Sequence, residues 1–284
     1  MSAGVSQKSC KEKRMNSDSV HERDTYLVGY GDAAQAWIGY RTAESHAAFF
    51  IPFLKPGMAL LDAGCGPGGI TVGLAKCVHP RHVTAIDIEP EQLTLAKERA
   101  REHKAGNIKF EEASIFNLPY ADNTFDAVFM SAVLSNLQRP DQAMTELFRV
   151  LKPGGIAGLN EFDSGGDIYY PFSPLTQKSR ELYFRLREHV GDDPMLGRRL
   201  KSFLHQAGFK CMLIQAIYEN IEPEQYTRTV STQFQKDLGP QVIALGWTDQ
   251  KEIDAIASEW REVAKNPDAF FAVTWVQAVG QKPE

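Results

Sequence analysis

Leu60-Leu61-Asp62-Ala63-Gly64-Cys65-Gly66-Pro67-Gly68-Gly69 is the stretch whose reading decides the fold. The apolar run Met58-Ala59-Leu60-Leu61 reads as a short buried strand, and Ile70-Thr71-Val72-Gly73-Leu74-Ala75 opens a helix. The turn between them is dense in glycine, so its backbone can bend sharply and approach a ligand closely. Strand, glycine turn and helix N-terminus form the arrangement by which open α/β sheets hold a nucleotide, because the first helical turn presents free N–H groups. Gly64, Gly66 and Gly69 fit the dinucleotide fingerprint G-x-G-x-x-G. That fit alone does not choose between a nicotinamide dinucleotide and another nucleoside cofactor.

Downstream, His82-Val83-Thr84-Ala85-Ile86-Asp87-Ile88 reads as a second buried strand. Asp87 stands roughly 20 residues beyond the glycine turn, where an acid at the strand tip accepts ribose hydroxyls. Residues 107–111 and 125–130 supply a third and a fourth strand. Ser131, Ala132, Leu134 and Asn136 follow at the ligand edge. Residues 141–151 are amphipathic, with Met144, Leu147 and Leu151 on one stripe. Leu151-Lys152-Pro153-Gly154-Gly155 is a type II turn candidate, proline second and glycine third. A fifth strand follows at 156–160.

Five stretches together carry a family resemblance: Leu61-Asp62-Ala63-Gly64-Cys65-Gly66-Pro67-Gly68, Ile86-Asp87-Ile88, Leu118-Pro119-Tyr120, Phe125-Asp126, and Arg149-Val150-Leu151-Lys152-Pro153-Gly154-Gly155. The chain resembles the class I S-adenosylmethionine (SAM) methyltransferases of the ubiquinone/menaquinone-biosynthesis-like group, from about residue 26 to 162 and less clearly beyond. The resemblance implies an α/β fold with a Rossmann-like, seven-stranded, mostly parallel sheet, and SAM as cofactor. It implies that Asp62 meets the amino-acid end of SAM, with Gly64, Cys65 and Gly66 in the turn around it. Tyr30, Tyr40 and Arg41 match a segment that covers SAM in relatives, Arg41 pairing its carboxylate through two parallel hydrogen bonds. Asp87 and Ile88 then take the ribose side, and Gln92 faces the cofactor edge. Relatives carry an acid at the adenine position; here Ser114 and Ile115 stand there, a hydroxyl without the charge. Ser131 and Leu134 complete the cofactor set.

The rest of the chain is less generic. Residues 1–20 are polar and read as a disordered tail, with Met15 a second candidate start. One methyltransferase domain is expected over 21–284, with its SAM-binding core at 57–162. Trp37, Tyr40, Ala43, Ala47, Phe50 and Leu54 fall at helical spacings and are expected to form a cap over the ligand edge. Residues 163–192 and 222–266 interrupt the minimal fold and are expected to complete that cap. Within it Tyr26, Glu161, Phe162, Tyr169, Tyr170 and His189 are the acceptor-site candidates, the two tyrosines on a loop hinged by Gly165 and Gly166. Aromatic residues of this kind suit a flat, apolar acceptor. The expected reaction is methyl transfer to an O, N, S or C atom of a small aromatic or lipophilic metabolite. A non-methylating cyclase and a regulatory SAM-binding protein are the alternatives. No catalytic residue is assigned, since none of the seven histidines occupies a motif position.

Charge and composition narrow the partners. The net charge of −5 offers no basic field for nucleic acid or anionic lipid. Cys10, Cys65, Cys77 and Cys211 show no metal-ligand spacing. No apolar run approaches the roughly 18 residues of a membrane span. A cytoplasmic protein without metal is therefore expected.

Overall fold

The apolar runs become parallel strands because helices cover both faces of the sheet. A computed structural model describes residues 32–284 of the chain. The expected tail at 1–20, and with it Tyr26 and Tyr30, lies outside the described residues. The parallel strands are β1 (Leu60–Ala63), β2 (Val83–Asp87), β3 (Ile108–Glu112), β4 (Phe125–Ser131) and β5 (Leu151–Phe162). They lie in the order β3-β2-β1-β4-β5. Successive β1 side chains serve opposite faces, Leu61 packing with one core and Leu60 with the other.

Short helices α1 (Asp32–Gly39) and α2 (Ala43–His46) precede the sheet, and α3 (Gly69–Val78) and α4 (Pro90–Glu102) follow β1 and β2. Leu74, Ala75 and Val78 of α3 bury one face together with Phe50. The other face is filled by Met144 and Leu147 of α5 (Pro140–Val150) and by Leu200 and Leu204 of α7 (Leu200–Gln206). Between these last two runs α6 (Pro174–Val190), with its Ser173 capping box and Pro174 in the first turn. Ahead of α7, the Asp193 carboxylate accepts the Met195 N–H and pairs with Arg199.

The far edge of the sheet departs from the expectation. β8 (Phe270–Gln281) runs antiparallel between β5 and β7 (Lys210–Ile221), as the last two strands of this fold should. Among the described residues the sheet has eight strands, not seven. The extra one is β6 (Ile168–Tyr170), which prolongs the β5 side of β8 by pairing with Phe270–Ala272. Asp167 sets this up: its carboxylate accepts the Thr274 N–H at 2.8 Å and pins the chain to β8. The segment read as a loop is thus a strand.

The cap has its own apolar core. Leu182 and Leu186 of α6 meet Phe234 of α8 (Pro223–Lys236) and Ile253, Ile256 and Trp260 of α10 (Gln250–Val263). α9 (Leu238–Ala244) closes the group with Leu238 and Val242, and the whole rests on Phe271 and Trp275 of β8. The amphipathic stripe of α10 forms because Asp249 caps it, accepting the Glu252 N–H at 2.8 Å.

Candidate functional site

The glycine turn after β1 lies against a cavity at the carboxyl ends of β1, β2 and β4. Gly64 and Gly66 have φ of +77° and +51°, a backbone that side-chain-bearing residues rarely adopt. Both line the cavity. Gly69 serves a different contact. A Cβ there would lie 2.2 Å from the Arg41 carbonyl oxygen, so the missing side chain lets the 40–42 segment close over the turn. Arg41 is thereby brought to the cavity wall, only 7% exposed.

Asp87 ends β2 at the same wall. Its carboxylate accepts the Gly66 N–H at 2.8 Å and the Glu89 N–H at 3.0 Å, so it shapes the turn as well as facing the cavity. Burial pushes its pKa up, against the pull of these N–H donors. Ile88, Gln92, Ser114, Ile115 and Ser131 line the same cavity. The Gln92 amide is buried with neither its oxygen nor its nitrogen bonded. Arg41 Nε and Asn136 Oδ1 are likewise buried without a partner. Buried polar groups normally find partners, so three such groups around one cavity describe a surface suited to a polar ligand.

Ala132 and Asn136, read from the sequence at the ligand edge, line the cavity, and the structure adds Ile38, Phe116 and Val133. Ala132 is held at φ +55°, its N–H bonded to the Asn160 carbonyl at 2.9 Å. Left-handed strain at a non-glycine residue clusters at functional sites. Local sequence carries no motif signal for Ile38, Phe116 or Val133.

Several expected site residues are drawn elsewhere. Asp62 is 3% exposed, lines neither cavity described here, and accepts the Thr71 hydroxyl at 2.6 Å. Burial pushes its pKa up to about 7. Cys65 packs below the turn, and burial raises its thiol pKa well above the ordinary value. Tyr40 donates to Glu219 at 3.1 Å instead of facing the cofactor cavity. Leu134 is fully buried in the core. Glu161, expected at the acceptor, is also fully buried. Its carboxylate accepts the N–H groups of Val133 and Leu134, both at 2.8 Å, and fastens that turn to β5. Asp163, the next acid along the chain, is gripped by Arg198. His189 is exposed, lines neither cavity and leans on Trp247.

A second cavity opens between the cap and β8, and Arg41 lines it too. Its walls include Phe162, Tyr169, Tyr183, Tyr226, Trp260 and Trp275. Strand β6 explains why only one of the paired tyrosines is here. Successive residues point to opposite faces, so Tyr169 is 6% exposed at the cavity while Tyr170 is 54% exposed and lines neither cavity. The Arg41 guanidinium lies over the Trp275 ring at 4.9 Å, the Arg180 guanidinium over the Tyr169 ring at 3.9 Å. Among the described residues no cluster of His, Cys, Asp or Glu is arranged to hold a metal ion.

Comparison with known proteins agrees with this geometry. A family model described as a methyltransferase domain matches residues 54–232. A protein of Aspergillus luteorubrus named as the methyltransferase ltbC is 40% identical over 183 residues, 61% of this chain and 64% of that protein. The demethylmenaquinone methyltransferase of Lactobacillus johnsonii is 31% identical over 216 residues, 69% of this chain and 86% of the relative. The chain spans 64% and 66% of the length of the first two curated relatives it matches. Among solved structures, the YcgJ protein of Bacillus subtilis shares the fold with a TM-score of 0.59 at 19% identity, over 84% of this chain and 97% of that one. The glycine turn, the acid at the tip of β2, the antiparallel last strands and these matches converge, and the chain belongs to the class I SAM-dependent methyltransferases, in the group that includes the menaquinone-biosynthesis enzymes.

Proposed function

We propose that this chain transfers the methyl group of SAM to an O, N, S or C atom of a small aromatic or lipophilic acceptor. The observation that carries the reading is that the glycine-turn cavity and the aromatic cap cavity share Arg41 as a wall. A cofactor and a flat acceptor placed in them would be neighbours.

The first cavity fits SAM. Each Asp87 oxygen already accepts one N–H and has capacity for a ribose hydroxyl. Arg41, with an unpartnered Nε, suits the SAM carboxylate. Gly64 and Gly66 let the backbone come close, and Gln92 and Ser131 offer polar groups along the same wall. Ile88 and Ile115 are apolar flanks for an adenine, and Ser114 supplies a hydroxyl beside it.

Bound SAM supplies an electrophilic methyl on a sulfonium. The chain's own contribution is to hold the acceptor in line and keep water out, which can account for much of the acceleration. Phe162, Tyr169 and Trp275 do this in the cap. A base is needed only where the acceptor must lose a proton. In that case Asp167 is the carboxyl group on the cap cavity wall, with a pKa raised by burial to about 6.

Calorimetry tests the cofactor assignment. SAM or its demethylated product should bind in the micromolar range and NAD(P)H not at all; the reverse result overturns the reading. Incubating extracts with enzyme and deuteromethyl-SAM, followed by untargeted mass spectrometry, identifies the acceptor by its mass gain. A product of unchanged mass would favour ring closure, and binding without turnover a regulatory role. The two curated relatives described above carry methyltransferase names, which favours methylation. A cytoplasmic location fits the cysteines without disulfide partners, Cys65, Cys77 and Cys211. Among the described residues no helix is long and apolar enough to cross a membrane.

A further inference from the structure

The polar side chains on the cap cavity wall are mostly spoken for. Ser179 accepts the Trp260 indole N–H at 3.1 Å and donates to the Thr176 carbonyl at 2.7 Å. Thr229 donates to the Gln225 carbonyl at 2.9 Å. Arg187, 1% exposed, is paired with Asp192 at 3.2 Å and donates to the Ser135 carbonyl at 3.0 Å. Asp167 accepts the Thr274 N–H.

Arg41, with its unpartnered Nε, and Arg180 are the exceptions. Arg180 is half-buried on the cavity wall, stacked on Tyr169 and 5.5 Å from the Phe184 ring. A guanidinium carries five N–H donors in a rigid fork. Among the described residues Arg180 uses one nitrogen, Nη2, on the Ser164 carbonyl at 3.1 Å, and no carboxylate forms an ion pair with it. Asp167 shares the cavity and attracts Arg180 through space without forming an ion pair with it. Arg41 adds a second guanidinium at the border with the other cavity. The cavity therefore combines aromatic walls with excess positive charge. Desolvation lowers the Arg180 pKa, the direction expected of a cation removed from water without a full counter-charge. An arginine stays charged throughout the physiological range, so with Arg187 paired to Asp192, two guanidiniums, Arg41 and Arg180, stand on this wall against the one carboxyl group of Asp167.

We infer that the acceptor is an aromatic acid, its ring held among the cap aromatics and its carboxylate received by the guanidinium fork of Arg180. The inference rests on the reading of the cap cavity as the acceptor site. Planar, bidentate pairing suits a carboxylate better than a neutral carbonyl. The Tyr169 face beneath the guanidinium holds the fork in orientation.

Matched probes test this. 2-Naphthoate and 2-naphthamide differ in charge and little in shape. Trp37, Trp260 and Trp275 on the cavity wall provide a fluorescence readout. With the demethylated cofactor present, the acid should bind the wild-type protein at least tenfold more tightly than the amide. Arg180→Met should abolish the preference and Arg180→Lys should keep part of it. SAM affinity should stay within a factor of two in both, since Arg180 is absent from the cofactor cavity wall. Equal binding of acid and amide to the wild type, or binding of neither, overturns the inference, even should Arg180→Met fail to fold. A preference that survives in a folded Arg180→Met also overturns it. A wild type that binds no SAM would strike the methyltransferase reading instead, and the separate cofactor titration reports that.

Discussion

At the scale of single residues, two carboxylates flank the glycine turn and do different work. Asp87 faces the cavity and Asp62 faces the core. Asp87→Ala should weaken SAM binding by about 1–3 kcal/mol, since it removes charged acceptors and releases the Gly66 N–H; calorimetry checks this, and unchanged affinity removes Asp87 from the site. Asp62 predicts a pH effect. Its pKa rises from 3.8 to about 7 on folding, because burial penalises the charged form. The folded state then holds the proton that the unfolded state has released. The stabilising contribution is complete below the unfolded pKa and is lost as pH climbs towards the folded one. Asp62→Asn removes this titration and keeps an acceptor for Thr71. Its melting temperature, relative to wild type, should therefore rise from pH 5 to about pH 7 and then level off. A difference independent of pH would contradict the burial argument.

At the scale of elements, β6 and α10 make the predictions. Pairing with β8 gives β6 the two-residue alternation that a loop lacks. Tyr169→Ala should lower kcat/KM by roughly tenfold or more with SAM affinity within a factor of two, because it lines the cap cavity proposed for the acceptor and not the glycine-turn cavity. Tyr170→Ala should leave both near wild type. Steady-state kinetics beside cofactor titration separates the two, and equal effects would mean that the strand register is wrong. Ile256 of α10 is fully buried in the cap core. Ile256→Ala should cost about 2–5 kcal/mol, the range for large-to-small core changes, measured by chemical denaturation.

At the scale of the whole molecule, sheet and cap meet at Arg41. The backbone of that residue is seated on Gly69 and its side chain reaches both cavities. Gly69→Ala puts a methyl 2.2 Å from the Arg41 carbonyl oxygen and 2.7 Å from Arg99 Nη1. The cover segment has to move. SAM affinity should fall by at least tenfold while the fold persists, which calorimetry and circular dichroism together would show. Retained affinity would mean that the 40–42 segment is not part of the cofactor site.

The cofactor half of the molecule was legible in the sequence because its parts are local. A strand, three glycines and a helix within a few residues determine where the backbone turns, and the acid ending the next strand has nowhere to go but the same edge. Gly64, Gly66 and Asp87 needed no knowledge of distant contacts. Asp62 shows the limit even there, since spacing places the residue at the end of β1 but not the direction of its side chain, and Thr71 claims it. In the cap the tertiary structure decided nearly everything. Glu161 reads as a free acid until the Val133 and Leu134 amides consume it. Tyr169 and Tyr170 are equivalent in a loop and opposite in a strand, and the strand exists only because β8, about a hundred residues later, pairs with it. Arg180 carries no motif at all. Its significance is that no carboxylate closes on it among the described residues, and whether a charge is satisfied depends on partners remote in sequence, which chain packing alone assigns.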